Sequence, residues 1–550
     1  MARVRSSSFQ IVVRNRPIFG RNGWSMTGAY VISNAGEQLV DEPYRSMNAN
    51  KDLIIPQMFG FFTDQVNRFT GYYEGLKAIN PDLKILPYTS PGAISKTGAG
   101  VGNPDWVKSF VDTDGHSSWL LRDSSGNTIE SSWSAANLRM SWTVQFNTNN
   151  PAGRHYGGEF AYRLRQAIEQ VNANGRMGDQ IDGVYFDVVP PTFQVAYVVD
   201  SDPRVASDQD FNQDGSAEDR GDETDGLGSE DDYGGARMYR RGVIAFADAV
   251  TAELGSDFVL WRNSTRDGLD YSGTTNVLGD GDAKTESEFY RYWGGGIFED
   301  CQRSLCCQRD GDTNTYPYQG WNGLEQQCRH VARIKSSNMP AAVHPWGKFG
   351  EHAVCVELAM LDRDPTQADY EMARYCWAFC RLNGVMNGLS RGKERPFPLL
   401  DEDVPYTGDT VDGLPPAMGT YDPATPPGGA SNDFSLRSPD YSGANGSAFY
   451  WQLFVHPDGT RYCVIARTDA GGISAHGQGD AEDVQLPYYG DGNTAWYHLD
   501  GTDGEYANEH TGLGFSNQSP AINDGSQVPA GGSYGTIALR PFHARLLVGR

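Results

Sequence analysis

No stretch of the 550-residue chain holds eighteen consecutive apolar residues, so no membrane-inserted helix is expected. Positive charge is also short. Forty-five Lys and Arg face 70 Asp and Glu, a net charge of −25. Binding to phosphate backbones or to an anionic membrane surface needs a basic footprint, so nucleic acid is excluded as the main partner. No Walker loop, no H-E-x-x-H pair and no nucleophilic Ser or Cys motif occurs, and no organic cofactor is expected. The start MARVRSSSFQIVVRNRPIFGRNG is basic, but its apolar run Phe9–Val13 is too short and interrupted for a secretory signal.

What the chain does have is aromatic surface and enough apolar residues for substantial cores. Aromatics make up 12%, including 12 Trp and 28 Tyr, and hydrophobic residues 39%. Aromatic side chains build large cores, and exposed ones form stacking platforms for sugar rings. Five of the eight cysteines fall between Cys301 and Cys355. Cys301, Cys306, Cys307 and Cys328 lie in a Gly- and Asp-rich stretch whose spacing fits no standard zinc pattern. One or two disulfides are expected there, with a zinc site or reduced thiols as alternatives. Disulfides without a signal peptide imply unconventional export, for instance on a virus particle released by lysis, and hence an extracellular or virion-associated protein.

From Asp52 short apolar runs alternate with amphipathic segments. The runs are LIIPQMFGF (53–61), KILPY (84–88), RMSWTVQF (139–146), GVYFDVV (183–189) and FVLW (258–261). A weak run follows at 275–278 or 283–288, then AAVH (341–344) and GVMNG (384–388). Helical spacing is clearest in GVIAFADAVTAEL (242–254) and recurs over 65–79, 158–173, 321–337 and 367–382. Eight strands alternating with helices predict an α/β fold, a (β/α)8 TIM barrel over 52–395 behind an N-terminal segment 1–51. Two acidic insertions, 199–233 and 299–320, interrupt the rhythm. Residues 396–435, rich in Pro, Gly and Asp, read as a linker. Beyond it, FYWQLFVHPDGTRYCVIART (449–468) is a hairpin pattern, and an all-β sandwich is expected over 436–550.

The sharpest local signal is QIDGVYFDVVPP (180–191), a buried strand that ends on Asp187. In a barrel the catalytic groups sit at the carboxyl ends of the strands, where a carboxylate is costly to bury and useful. The alternative is an Asp that caps the next helix or binds a loop amide.

Several segments resemble glycoside hydrolase barrels related to the α-amylase and melibiase-like enzymes. These are YYEGLKAINPDLKILPY (72–88), PDWVKSFVDTDGHSSWLLRDSSGNTI (104–129), DGVYFD (182–187), ARYCWAFCRLNGVMNG (373–388) and the tail from Ile522. The resemblance implies a glycosidase acting on a polysaccharide or glycoconjugate, with Asp187 as nucleophile or stabilising carboxylate. It puts the partner acid/base at the end of the sixth strand, within LGDGDAKTESEFYRYW (278–293), where Glu286 comes first, Glu288 next, then Asp282 or Asp280. One carboxyl protonates the leaving oxygen while the other meets the oxocarbenium charge. Arg262, Asn263, Tyr290, Trp293, His344 and Trp346 are the expected substrate contacts. The competing reading is a non-catalytic barrel, a structural or glycan-binding part of a virion or surface assembly.

The insertion DQDFNQDGSAEDRGDETDG (208–226) carries Asp210, Asn212, Asp214 and then Gly215, the first half of a D-x-N-x-D-G calcium loop, with Ser216 offering a backbone oxygen. The twelfth position is Gly221 rather than Glu, so Asp219, Asp222 or Glu223 would have to close the shell. A structural Ca²⁺ is expected there, with a solvated acidic loop as the alternative.

Overall fold

The computed structural model describes residues 27–31, 48–49, 53–56, 72–81, 83–89, 91, 93–95, 115–128, 130–131, 137–139, 150–173, 181–186, 210, 215, 234–255, 258–263, 295–298, 351–357, 367–383, 386–390, 409–410, 419–420, 448–455, 460–468, 480–486, 495–499, 525–529 and 535–550. The strands are β1 (Thr27–Val31), β2 (Leu53–Pro56), β3 (Lys84–Ile85), β4 (Tyr88–Thr89), β5 (Ala93–Ser95), β6 (Glu130–Ser131), β7 (Asn137–Arg139), β8 (Gly183–Phe186), β9 (Val259–Asn263) and β10 (Gly295–Phe298). They continue with β11 (Glu351–Glu357), β12 (Met386–Ser390), β13 (Asp409–Thr410), β14 (Gly419–Thr420), β15 (Ala448–Val455), β16 (Arg461–Thr468), β17 (Glu482–Gln485), β18 (Trp496–His498), β19 (Thr536–Leu539) and β20 (His543–Gly549). Four α-helices are described: α1 (Tyr72–Ile79), α2 (Tyr156–Ala173), α3 (Gly234–Leu254) and α4 (Gln367–Asn383).

Nine strands form one parallel sheet in the order β3-β2-β1-β12-β11-β10-β9-β8-β4. Its two ends, β3 and β4, are halves of the single stretch 84–89. Leu86 N donates to Ile54 O (3.0 Å) on one side, and Tyr185 N donates to Pro87 O (2.9 Å) on the other. That stretch therefore has a parallel neighbour on each side, β2 and β8. The register confirms the return. Gly28 faces Leu53 on β2; the other way, Gly28 faces Gly388 and Gly388 faces Cys355. Taken once around these strands, the ladder offsets leave a residual of eight residues.

Burial explains the apolar runs. Leu53, Ile54 and Ile55 in β2, all of β8, and Val259–Arg262 in β9 are buried on both faces, as strands covered by helices must be. In β8 the ring of Phe186 meets Phe160 of α2 (centroids 6.0 Å) and Phe246 of α3 (5.2 Å), so that face looks toward the helices. Tyr185 faces the other way and stacks on Tyr88 (5.8 Å, 29°). Gly183 is required by close approach: a Cβ there would collide with the Val259 carbonyl and come within 2.7 Å of Leu86 Cδ2.

The parallel strands begin earlier than the sequence suggested, because Thr27–Val31 lies between β2 and β12, inside the residues read as a lead-in. Asn137–Arg139, at the edge of the run expected as a strand at 139–146, belongs instead to a small antiparallel sheet, β5-β7-β6. The sixth and seventh parallel strands described are Gly295–Phe298 and Glu351–Glu357; the runs expected at 275–278 or 283–288 and at 341–344 lie outside the described residues. GGIF is short and half glycine, and EHAVCVE opens and closes on charge, so neither reads as an apolar run.

Toward the C-terminus lie two antiparallel sheets, β13-β15-β16-β20-β18 with β14 beside β15, and β17-β19. The dipeptides β13 and β14 come from the segment read as a linker. Phe449, Trp451, Cys463, Ile465, Trp496 and Leu547 from the larger sheet share one buried cluster with Ile537 and Leu539 of the smaller. The other face of the larger sheet receives α4. Every residue from Glu371 to Cys380 is buried, because α4 packs on β11 and β12 on one side and on β16 and β20 on the other. Arg545 Nη1 donates to Glu371 Oε2 at 3.0 Å, and Tyr375 meets Phe542 edge-on at 5.8 Å. Among the described residues no helix is long and apolar enough to cross a membrane.

Candidate active site

Two carboxylates flank the strand GVYF. Asp182, at its amino end, is fully employed: its oxygens accept from Lys77 Nζ (2.8 Å), Lys84 Nζ (3.2 Å) and the Ile85 amide (2.9 Å). This acid ties α1, the 84–89 strand and β8 together. Asp187, the first residue past the carboxyl end, lies outside the described residues.

At that carboxyl end the long loops after the third and fourth strands are stitched to each other. Asp210 N donates to Arg122 O at 2.9 Å, joining the insertion after β8 to the turn at 122–128. That turn is held by buried Asp123, whose carboxylate accepts from the Ser125 amide (3.1 Å), the Asn127 amide (2.7 Å) and Asn127 Nδ2 (3.0 Å). Gly126 closes it with φ +82°. Arg122 adds bonds to Gly126 O and to Ser117 O.

An aromatic chain runs from this loop to the end of β8. His116 stacks on buried Trp119 (4.1 Å), Trp119 meets Tyr156 (5.7 Å), Tyr156 meets Phe160 (6.0 Å), and Phe160 meets Phe186. Tyr156 Oη donates to Pro91 O at 2.7 Å, which pins the start of α2 to the chain just past β4. Burial pushes this phenol well up, so it stays a donor. Beside it, buried Glu159 accepts from Arg154 Nε (2.8 Å), Arg163 Nε (2.9 Å) and Asn150 Nδ2 (2.7 Å). Burial alone would raise this carboxyl, but the two guanidinium groups outweigh it and hold it below the ordinary range. His155 is lowered, chiefly by burial, with Asp248 opposing.

The register sorts the expected substrate contacts. Arg262 is buried and pairs with Phe186, so it leaves the sheet on the helix side and not on the side of Tyr185 and Trp261. Arg262 and Asn263, taken together as substrate contacts in the sequence, are neighbours along β9 and so hold opposite faces of it. Asn263 pairs with Ile297 and holds the register position of the Trp261 face. Glu286 and Glu288 were expected at the carboxyl end of the sixth strand. They precede β10 in the chain, so they are not at its carboxyl end; they lie outside the described residues, as do Tyr290, Trp293, His344 and Trp346. The acids that the sequence reading passed over are Glu299, which follows β10, and Glu357, the last residue of β11.

Asp210 is buried, and its Oδ2 accepts the Gly215 amide at 2.9 Å, with Gly215 at φ +87°. Asn212, Asp214 and Ser216 lie outside the described residues. Among the described residues no group of three or more His, Cys, Asp or Glu is placed to hold a metal. Cys376, Cys380 and Cys463 are buried and form no disulfide. The expected disulfides among Cys301, Cys306, Cys307 and Cys328 fall outside the described residues.

No family model matches the chain, and no curated protein matches it. Solved structures to which the chain is similar include glycoside hydrolases. One is a family 39 glycoside hydrolase from Bacteroides cellulosilyticus (9% identity, 97% of this chain and 82% of that chain, TM-score 0.44). Another is a GH27 β-L-arabinopyranosidase from Geobacillus stearothermophilus (10%, 98% and 98%, 0.42). A third is a GH30 endoxylanase from Clostridium papyrosolvens (10%, 97% and 98%, 0.41).

Proposed function

We propose that the chain is a glycoside hydrolase, built as a (β/α)8 barrel backed by a β-sandwich, with Asp187 as its central carboxylate and a carbohydrate as its substrate. Two things support the barrel: the return of the sheet through 84–89, and a residual of eight residues around the ring. Eight strands with a shear of eight is the TIM-barrel combination. The two antiparallel sheets around one cluster support the sandwich.

The observation that carries the functional reading is the alternation in β8. Phe186 is committed to the helix layer by Phe160 and Phe246, and Tyr185 to the opposite face by Tyr88. Asp187 is the next residue in the chain, and barrels keep their chemistry at the carboxyl ends of such strands. Asn263, on the corresponding face of β9, is suited to fix a sugar hydroxyl. A carboxylate in this setting stabilises the oxocarbenium charge or attacks the anomeric carbon. The test is hydrolysis of a glycan panel by the wild type beside Asp187→Asn. Release of reducing ends by the wild type and its loss in the variant, with unchanged melting, is expected. A wild type inert on every glycan would end the reading.

The same reading assigns a structural Ca²⁺ to the 208–226 insertion. Asp210 supports it, because a first-position carboxylate that accepts the sixth-position glycine amide preforms the tight turn of such loops. Asn212, Asp214 and the Ser216 carbonyl would complete the shell. The ion would neutralise a loop crowded with carboxylates and stiffen the wall next to Asp187.

A further inference from the structure

Independently of the glycosidase reading, we propose that the Arg540–His543 turn is an acid-sensitive latch. In mild acid it lifts the start of β20 off α4 while the rest of that strand stays paired.

The backbone of the turn is strained. His543 N donates to Arg540 O at 3.2 Å, which closes a turn with Pro541 second and Phe542 third. Phe542 has φ +58°, the one non-glycine residue at positive φ among those described. The third place of such a turn ordinarily goes to Gly or Asn, so a bulky residue persists there only where its surroundings hold it. Here they do so twice. The ring is fully buried and meets Tyr375 of α4 edge-on, and the amide donates to Arg467 O at 2.9 Å. Lifting the turn off α4 releases that strain.

The turn also sits where the strand is least supported. β16 runs beside the whole of β20, but β18 reaches only Leu547–Gly549. Among the described residues, positions 543–545 therefore have one neighbouring strand, and α4 supplies the other restraint. Its polar clasp is the ion pair between Arg545 Nη1 and Glu371 Oε2 at 3.0 Å; the same Nη1 donates to Ala544 O at 2.7 Å.

A buried imidazole lies inside this clasp. His543 Nδ1 donates to Pro541 O at 2.9 Å, so an added proton must go to Nε2. The charges acting on the ring are Glu371 of α4, Arg545 of β20 and Arg540 of the turn. Arg467 is its register partner on β16, and α4 also carries the buried Arg374. Glu371 is the one anion of this set, and Arg545 already holds it. An imidazolium in the closed turn must compete with Arg545 for that carboxylate, whereas the open turn offers it water. Burial, helped by Arg545 and Arg540, lowers His543 from the ordinary 6.5, with Glu371 and the Pro541 carbonyl opposing. The open turn thus binds the proton at higher pH than the closed one. Opening is level above about pH 6.5 and grows as pH falls toward the closed-state value.

The test is hydrogen exchange of the full chain from about pH 7.5 to 5, read by mass spectrometry on peptides covering 540–545, 546–549 and α2. Rates are corrected for the intrinsic pH dependence of exchange. Protection of 540–545 should fall by up to about tenfold per pH unit below about 6.5, while 546–549 and α2 keep theirs. His543→Asn and His543→Gln, neither of which titrates, should remove the fall, with folding checked by melting at neutral pH. His155→Asn, at the other buried histidine whose protonation burial opposes, should leave it as in the wild type. Protection of 540–545 that stays level in the wild type, or falls only in step with 546–549 and α2, would overturn the latch without any variant. So would an unchanged fall in the His543 variants, or its loss in His155→Asn.

Discussion

Phe246 meets Phe186 edge-on, with ring centroids 5.2 Å apart and planes at 81°. Phe246 is the point where α3 grips the last residue of the strand that leads to Asp187, and both rings are fully buried. Phe246→Ala should cost about 3–5 kcal/mol of stability, through lost burial and the cavity left behind. Phe246→Leu should cost less than half as much. Urea unfolding monitored by tryptophan fluorescence reads both; equal stabilities would show that the contact holds nothing.

Gly183 has no room for a methyl group between the Val259 carbonyl and Leu86. Gly183→Ala should separate β8 from β9 at their amino ends and destabilise by about 1–3 kcal/mol or more. An unchanged melting temperature would show that the two strands pack less closely there.

The Arg545–Glu371 pair spans α4 and β20, with little of either side chain exposed. Removing one partner leaves a poorly solvated charge, so Glu371→Ala should cost about 3 kcal/mol. A double-mutant cycle with Arg545→Ala should show a coupling of at least about 1 kcal/mol. Additive losses would mean that the two charges do not sense each other.

Mild acid should destabilise the fold. Burial lowers His543 and His155 from the ordinary 6.5, with Glu371 and Asp248 respectively opposing. The unfolded chain therefore takes up these protons at higher pH than the folded one. Their contribution is complete above about pH 6.5 and is lost as pH falls toward the folded values. Glu159, held below the ordinary 4.5, adds a second loss at lower pH. Melting temperature should drop between about pH 7.5 and 5.5. His543→Asn, which keeps a donor for Pro541 O, should flatten that slope.

Calcium should raise the melting temperature, by about 2.7 kcal/mol of stability at a hundredfold excess over Kd. Chelation should reverse the effect, and Asp210→Asn should abolish the response. Identical melting with calcium and with chelator would leave the insertion as a solvated acidic loop.

Helices were the most legible part of the sequence. The stripe read over 158–173 corresponds to Tyr156–Ala173, because one apolar face leaves a clear period, and that read over 367–382 corresponds to Gln367–Asn383. Strands were legible where both faces are covered, as in LIIP, GVYF and VLW. They were missed where the rim or the inner face carries polar residues, as in EHAVCVE, or where glycine thins the signal, as in TGAYV and GGIF. The candidate site suffered from the same cause. The sixth strand was expected beside Glu286 and Glu288, which lie outside the described residues, while the face on which a residue falls, which separates Arg262 from Asn263, depends on partners tens of positions away that no local pattern records.

A helix buried for ten consecutive residues has no outside. Because α4 is a wall shared by the parallel sheet and the antiparallel one, the C-terminal sheets are not a passenger that evolution or an engineer can exchange at the preceding Pro- and Gly-rich segment. Ending the chain before Ala448 would bare Tyr375 and strand Glu371 without Arg545. The expected product is an insoluble fragment rather than a smaller enzyme, and any homologous module grafted in its place would have to bring its own surface complementary to α4.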